Sequence, residues 1–243
     1  MLNAERIIEE LVAVCHRVEA KGFVAASDGN ISARLPDGNI LITPSSLNKG
    51  SVTPDDLVEI SLRGDRVAGR GTPSSESELH LFIYRHRPDV NAVVHCHPVY
   101  ATAYAAARIP LSERLFPEVI VGLGKIPLAP YATPSTSEVG ESIAPFVMSS
   151  DAVLLANHGA VTYGKDLWDA YFKMEKVEQI AHIEFAARVL GGAKELSSDE
   201  VSELLRKTGP YDGKSAPAAL SPEIEITEEE FQTIVREVKK RLH

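Results

Sequence analysis

The feature that most constrains this chain is a change of period near residue 30. Helical spacing gives way to short strands, and then the two alternate. Residues 3–20 place Ile7, Ile8, Leu11, Val12, Val14, Cys15 and Val18 three and four apart, with Asn3 available as a cap, which predicts an amphipathic helix. From 31 to 68 the apolar pattern breaks into short segments at 31–34, 39–43, 57–61 and 66–68. The turn sequences Pro36-Asp37-Gly38, Pro54-Asp55-Asp56 and Arg63-Gly64-Asp65 separate them, so antiparallel strands and hairpins are expected. Beyond 70, expected helices at 77–87, 100–107, 137–148, 167–190 and 199–207 alternate with strands at 92–97, 126–129, 153–156 and 161–163. The first of these helices should be capped from the Ser74-Ser75 region. The pattern predicts an α/β fold: a single domain over residues 1–208 with a central mixed or antiparallel sheet flanked by helices.

Residues 209–222, rich in Pro, Gly, Ala and Ser, read as a linker. In 223–243 a capping box of Thr227 and Glu230 opens a C-terminal amphipathic helix. Its stripe of Phe231, Ile234, Val235, Val238 and Leu242 must be buried on its own domain or on a neighbouring subunit.

Charge narrows the function. With 25 Lys and Arg against 34 Asp and Glu, the net charge is −9. A nucleic-acid binder or a polybasic membrane anchor needs the opposite sign, so neither partner is expected. Apolar runs such as 152–156 fall far short of the roughly 20 residues that span a bilayer. No apolar signal segment follows Met1, and Cys15 and Cys96 cannot form a disulfide framework. A cytoplasmic enzyme is expected.

The strongest chemical signal is Val94-His95-Cys96-His97-Pro98. Side chains alternate along a strand, so His95 and His97 share one face and can meet one ion, while Cys96 packs on the other. Pro98 ends the strand and leaves His97 at a rim. A third ligand is available in His158, which follows the apolar segment Leu154-Leu155-Ala156 and precedes Gly159. Three histidines at strand ends are the ligand set of an open catalytic zinc-type site, although neutral imidazoles also accept Mn2+ or Co2+. His16, His80, His86, His182 and His243 read as surface or satisfied core residues.

Gly71-Thr72-Pro73-Ser74-Ser75-Glu76-Ser77-Glu78 opens the next helix, where hydroxyls, free N–H groups and carboxylates suit the positive end of the dipole. The spacing does not choose between Glu76 and Glu78. Two further turns, Ser27-Asp28-Gly29-Asn30 and Thr43-Pro44-Ser45-Ser46, offer neutral donors of the kind an anion needs. There is no phosphate loop and no dinucleotide fingerprint, so a kinase or a nicotinamide enzyme is not expected.

Together with Asn157-His158-Gly159, these motifs stand in the order and spacing of the class II aldolase/adducin family, which residues 5–210 resemble. The resemblance implies Zn2+ on His95, His97 and His158, with Glu76 as the acid/base that can also occupy the metal. It places Asn30, Ser45, Ser46, Ser74 and Ser75 around a substrate phosphate. It further implies reversible cleavage of a deoxyketose 1-phosphate, such as L-fuculose 1-phosphate or 5-deoxyribulose 1-phosphate. The products would be dihydroxyacetone phosphate and an aldehyde, formed through a metal-stabilised enediolate. A homotetramer with active sites at subunit interfaces is implied as well. Phe116 aligns near a family tyrosine, supplied by a neighbouring subunit, that protonates the aldehyde oxygen; Tyr131 and Tyr211 are candidate substitutes. Ser45-Ser46 replaces a Thr-Gly pair. Related epimerases carry Asp at position 76, so Glu76 favours aldol chemistry. Dehydratases and decarboxylases share the scaffold, and the adducin head keeps the fold as a non-catalytic interaction module.

Overall fold

Helix α1 (Ala4–Ala20) buries Ile7, Leu11, Val14, Cys15 and Val18, the stripe its spacing defines. The computed structural model describes residues 4–209, so the C-terminal helix expected at 223–243, and all but the first residue of the linker, lie outside the described residues. After α1 the chain forms an antiparallel meander of β1 (Asn30–Arg34), β2 (Ile40–Ile42), β3 (Val58–Ile60) and β4 (Arg66–Ala68). The first turn closes with Gly38 N–H donating to Leu35 O, and Asn39 is held by the Asp37 carboxylate. Between β2 and β3, Lys49–Ser51 and Pro54–Asp56 make single 3-10 turns where the sequence suggested only loops.

The alternating half follows as α2 (Ser77–His86), β5 (Ala92–Cys96), α3 (Val99–Ala107), α4 (Pro117–Gly122), β6 (Leu128–Ala129), α5 (Ser137–Val147), β7 (Ala152–Leu155), β8 (Gly159–Gly164), α6 (Leu167–Val189) and α7 (Ser198–Thr208). Local chemistry explains the ends. Pro88 bars continuation of α2, Asp166 accepts from Asp169 N–H to start α6, and a Ser197–Glu200 capping box starts α7. Helix α4 was not foreseen, because its six residues are too few to show a period. Capping of α2 by Ser74 or Ser75 is corrected. Glu76 occupies the N-cap position with no side-chain cap, because residues 73 and 74 are drawn alongside 43 and 44 by a Pro44–Pro73 bridge.

The eight strands lie in the order β4-β3-β2-β1-β5-β8-β7-β6, antiparallel except for the β6–β7 pair. Strand alternation sorts their side chains onto two faces. Ile31, Ala33, Val94, Cys96, Leu154 and Ala160 join α1, α3 and α6 in one core. Ile42, Val58, Val93, Val153, Val161 and Tyr163 join α2 and α5 in the other. Asn30, Ser32 and His95 therefore fall on the α2 side, two of them in direct register, since Asn30 pairs with His95 across β1 and β5. A buried ion network pins the far end of that layer. Asp151, ahead of β7, receives Arg87 from the end of α2 at 2.9 Å and Lys173 from α6 at 2.9 Å.

Candidate metal centre

His95 lies on β5 and is fully buried; His97 follows the strand and is anchored by its backbone N–H to Phe23 O. His158 sits in the β7–β8 turn, where Asn157 takes a left-handed φ of 56° and Arg108 Nε–H donates to the Asn157 side-chain Oδ1 at 3.0 Å. Gly159 makes the convergence possible. A Cβ there would lie 2.5 Å from Cys96 O and 2.6 Å from the His97 ring.

The three rings face one another with centroids 4.7–5.1 Å apart, and one nitrogen from each lies within 4.8 Å of the others. His95 Nε2 and His97 Nε2 are 3.2 Å apart. Glu76 completes the group, with Oε2 at 3.3 Å from His95 Nε2 and Oε1 at 3.1 Å from His158 Nε2. Two ligands each about 2.0–2.1 Å from a tetrahedral ion would stand roughly 3.3–3.4 Å apart. His95 Nδ1–H donates to Ala160 O at 3.0 Å, which leaves Nε2 as a lone pair turned toward another imidazole nitrogen and a carboxylate. Glu76 Oε1 is buried and receives no hydrogen bond. Converging lone pairs and an orphaned anionic oxygen repel one another unless a cation lies between them, so the donor set fits a divalent metal.

Electrostatics agree with that arrangement. Burial alone would raise the Glu76 carboxyl, but positive charge on the His95 and His158 side, where an ion would also act, holds it far below the usual carboxylate range. His97 is lowered to about 4, first by burial and then by His95 and His158, so its ring is neutral and available near pH 7. Asp28 stands 3.6 Å from His97 Nδ1, on the ring edge away from the cluster. Glu78 is turned elsewhere and pairs with Arg85 at 3.1 Å, so of the two candidate carboxylates Glu76 alone meets the histidines.

The remaining candidates fall into two groups. Ser45 and Ser74 are tied down: Ser45 Oγ–H donates to Pro73 O, and Ser74 Oγ accepts from Glu76 N–H. Ser46 and Ser75 are exposed, Ser46 with a left-handed φ of 60°. Asn30 is buried, and its amide is engaged by Glu76 Oε2 at 2.8 Å and by His80 Nε2 at 2.5 Å. Phe116 caps α4 and packs against the core, and Tyr131 is half exposed. Tyr211 lies outside the described residues.

Two residues escaped sequence reasoning. His80 reads as a core histidine, yet it joins Asn30 to Ser32; its place four residues after Glu76, on the same helix face, was the available signal. Lys49 is buried, and its Nζ–H groups donate to Ser27 O and Leu47 O, fastening together the two loops that flank Asn30 and Ser45. Burial lowers its ammonium, with Cys15, Cys96 and Asp28 acting in the opposite sense.

Fold and site together define a family: the chain belongs to the class II aldolase and adducin N-terminal domain family, whose sequence profile matches residues 9–185. Among curated relatives, the chain is 34% identical to a 3-oxo-tetronate 4-phosphate decarboxylase of Pectobacterium atrosepticum, covering 83% of this chain and 94% of that protein. It is 35% identical to an L-fuculose phosphate aldolase of Methanococcus maripaludis, covering 73% and 96%. The crystal structure of YgbL from Klebsiella pneumoniae superposes with a TM-score of 0.77 at 32% identity, covering 84% of this chain and all of that one.

Proposed function

We propose that the chain is a metal-dependent carbon–carbon lyase acting on a phosphorylated sugar, most specifically an aldolase that cleaves a deoxyketose 1-phosphate. The observation that carries this reading is the Glu76 carboxylate set 3.1–3.3 Å from two of three convergent imidazoles. His95, His97 and His158 would hold Zn2+, with Mn2+ or Co2+ as chemically acceptable substitutes. When bound, the ion supplies Lewis-acid withdrawal of electrons from the substrate carbonyl.

The chain's own groups do the rest. Glu76, kept ionised, is the base that removes a proton alpha to the carbonyl in the condensing direction. In cleavage the C4 hydroxyl passes its proton, through solvent, to the ionised Glu76, the C3–C4 bond breaks, and its electron pair passes to C3 in conjugation with the C2 carbonyl. The acid form of Glu76 then returns a proton to C3, releasing dihydroxyacetone phosphate and the aldehyde. Hydroxyls and backbone N–H groups of Ser45, Ser46, Ser74 and Ser75, with Asn30 beside them, would bind the phosphate without a basic patch, which suits an acidic chain. A homotetramer with shared sites is part of the same reading, and the exposed Phe172, Phe185 and Val189 on α6 are apolar surface that an assembly would cover. A cytoplasmic location belongs to the same reading; no helix among the described residues is long and apolar enough to cross a membrane.

A second reading is decarboxylation of a 3-oxo-acid phosphate. Phe116 favours it, because a phenyl ring cannot exchange a proton with an aldehyde oxygen and decarboxylation requires no such exchange. A coupled assay for dihydroxyacetone phosphate, run beside an assay for CO2, separates the two. Both reactions leave dihydroxyacetone phosphate, so the co-product decides. Dihydroxyacetone phosphate with an aldehyde and no CO2 from a deoxyketose 1-phosphate supports the aldolase. Dihydroxyacetone phosphate with an equal amount of CO2 from a 3-oxo-tetronate 4-phosphate, and no cleavage of the deoxyketose, moves the assignment to the decarboxylase.

A further inference from the structure

A line of buried side chains runs from Glu76 into the α2 layer. Asn30 Nδ2–H donates to Glu76 Oε2 at 2.8 Å, His80 Nε2 meets Asn30 Oδ1 at 2.5 Å, Ser32 Oγ meets His80 Nδ1 at 2.6 Å, and Tyr84 OH meets Ser32 Oγ at 2.9 Å. Strand period places Asn30 and Ser32 two apart on one face of β1. Helix period places Glu76, His80 and Tyr84 four apart on one face of α2. The two faces are packed together, so the five groups interleave.

Each proton in this line is dictated by the one before it. An ionised carboxylate demands a donor, which fixes the Asn30 NH2 toward Glu76 and its carbonyl away. That carbonyl then needs a donor, which only an Nε2–H tautomer of His80 supplies. His80 Nδ1 is left as an acceptor, so Ser32 donates to it and accepts from Tyr84. Asn30, Ser32, His80 and Tyr84 are 4%, 0%, 0% and 2% exposed. Neither Asn30 nor His80 could reverse its role without stranding a buried polar atom. The neighbours of His80 on α2, Leu79, Leu81 and Ile83, are buried apolar residues, so packing alone has no need of an imidazole there.

We propose that His80 is a positioning residue for the acid/base: acting through Asn30, it holds the Glu76 carboxylate in the orientation that faces both the metal histidines and the substrate carbon. The proposal rests on Glu76 being that acid/base. Burial, with His95 second, lowers His80 to about 3, which agrees with a ring that stays neutral and donates from one nitrogen.

The test pairs kinetics with a readout that needs no turnover. With Zn2+-loaded protein and a deoxyketose 1-phosphate, His80→Leu is expected to lower kcat by about 10- to 100-fold, the scale of a misplaced catalytic group. KM and bound zinc should stay within about twofold. His80→Gln, which can both donate to Asn30 and accept from Ser32, should recover most of the loss. In a Glu76→Gln background, His80→Leu should cost less than about twofold. Equal losses in both backgrounds, or an unchanged kcat in folded His80→Leu, would overturn the proposal. Nitrogen-15 NMR of the wild-type imidazoles is independent of the reaction. A neutral Nε2–H tautomer for His80 at pH 7 is expected, and an Nδ1–H tautomer would overturn the proposal even if no sugar phosphate were cleaved. Absence of turnover with the Nε2–H tautomer present would count against the aldolase reading while leaving the hydrogen-bonded line in place.

Discussion

Gly29 lies directly against the backbone of His95. A Cβ at Gly29 would sit 2.8 Å from His95 O and 2.6 Å from Val24 Cγ1, and its φ of +70° is one that side-chain-bearing residues rarely adopt. The loop that carries Asp28 and leads into Asn30 can therefore press onto β5 only through a glycine. Gly29→Ala is expected to cost about 1–3 kcal/mol of stability through strain. It should also weaken zinc binding, because His95 and His97 lie on the displaced strand. Denaturant unfolding and zinc titration check this; wild-type values for both would show that the contact does not matter.

Removing one imidazole should empty the centre. Three ligands are needed for an open site, so His158→Ala is expected to reduce bound zinc from about one per chain to a small fraction of that. Chelation of the wild type should give the same inactive state, reversible by added Zn2+. Elemental analysis before and after reconstitution reads the result, and full metal occupancy in His158→Ala would remove that residue from the ligand set.

Glu76→Gln keeps the size of the side chain but loses its proton-accepting oxygen. Turnover should fall by at least about 100-fold, the usual scale for a general base, with zinc retained on the histidines. Wild-type turnover in this variant would transfer the role to another group.

His80 also makes a prediction about pH. Its folded value of about 3 lies below the ordinary 6.5, so below pH 6.5 the unfolded chain binds the extra proton and the folded chain does not. Stability is therefore complete above pH 6.5 and falls as the pH drops from about 6.5 toward 3. The groups around the ring are Asn30, Ser32 and Tyr84, with His95 and Glu76 beyond; burial first and then His95 disfavour a second proton on the ring, while Glu76 acts in the opposite sense. In metal-free protein, His80→Gln should flatten the acid limb of a stability–pH curve measured by urea unfolding. Superimposable curves for the two proteins would refute it.

Much of this was legible in the residues. Strand alternation put His95 and His97 on one face and Cys96 in the opposite core, where it is fully buried. Turn chemistry located the meander, and every expected helix among the described residues formed within a residue or two of its expected bounds. The choice between Glu76 and Glu78 was not legible, because both suit a helix start; the approach of α2 to the β5 and β7 ends decides it. Asn30 looked like one loop donor among several, and only its pairing with His95 across β1 and β5 brings it to Glu76. Lys49 stayed hidden because nothing local distinguishes a buried lysine from a solvated one.

If this metal centre and Glu76 cleave the C3–C4 bond of a deoxyketose 1-phosphate, product detection shows it. Zinc-reconstituted protein is incubated with L-fuculose 1-phosphate and with 5-deoxyribulose 1-phosphate, and dihydroxyacetone phosphate is followed by a coupled reductase. Dihydroxyacetone phosphate release from at least one of them is expected, abolished by chelation and lowered at least about 100-fold by Glu76→Gln. No dihydroxyacetone phosphate from either substrate, with the zinc site fully occupied, would contradict it.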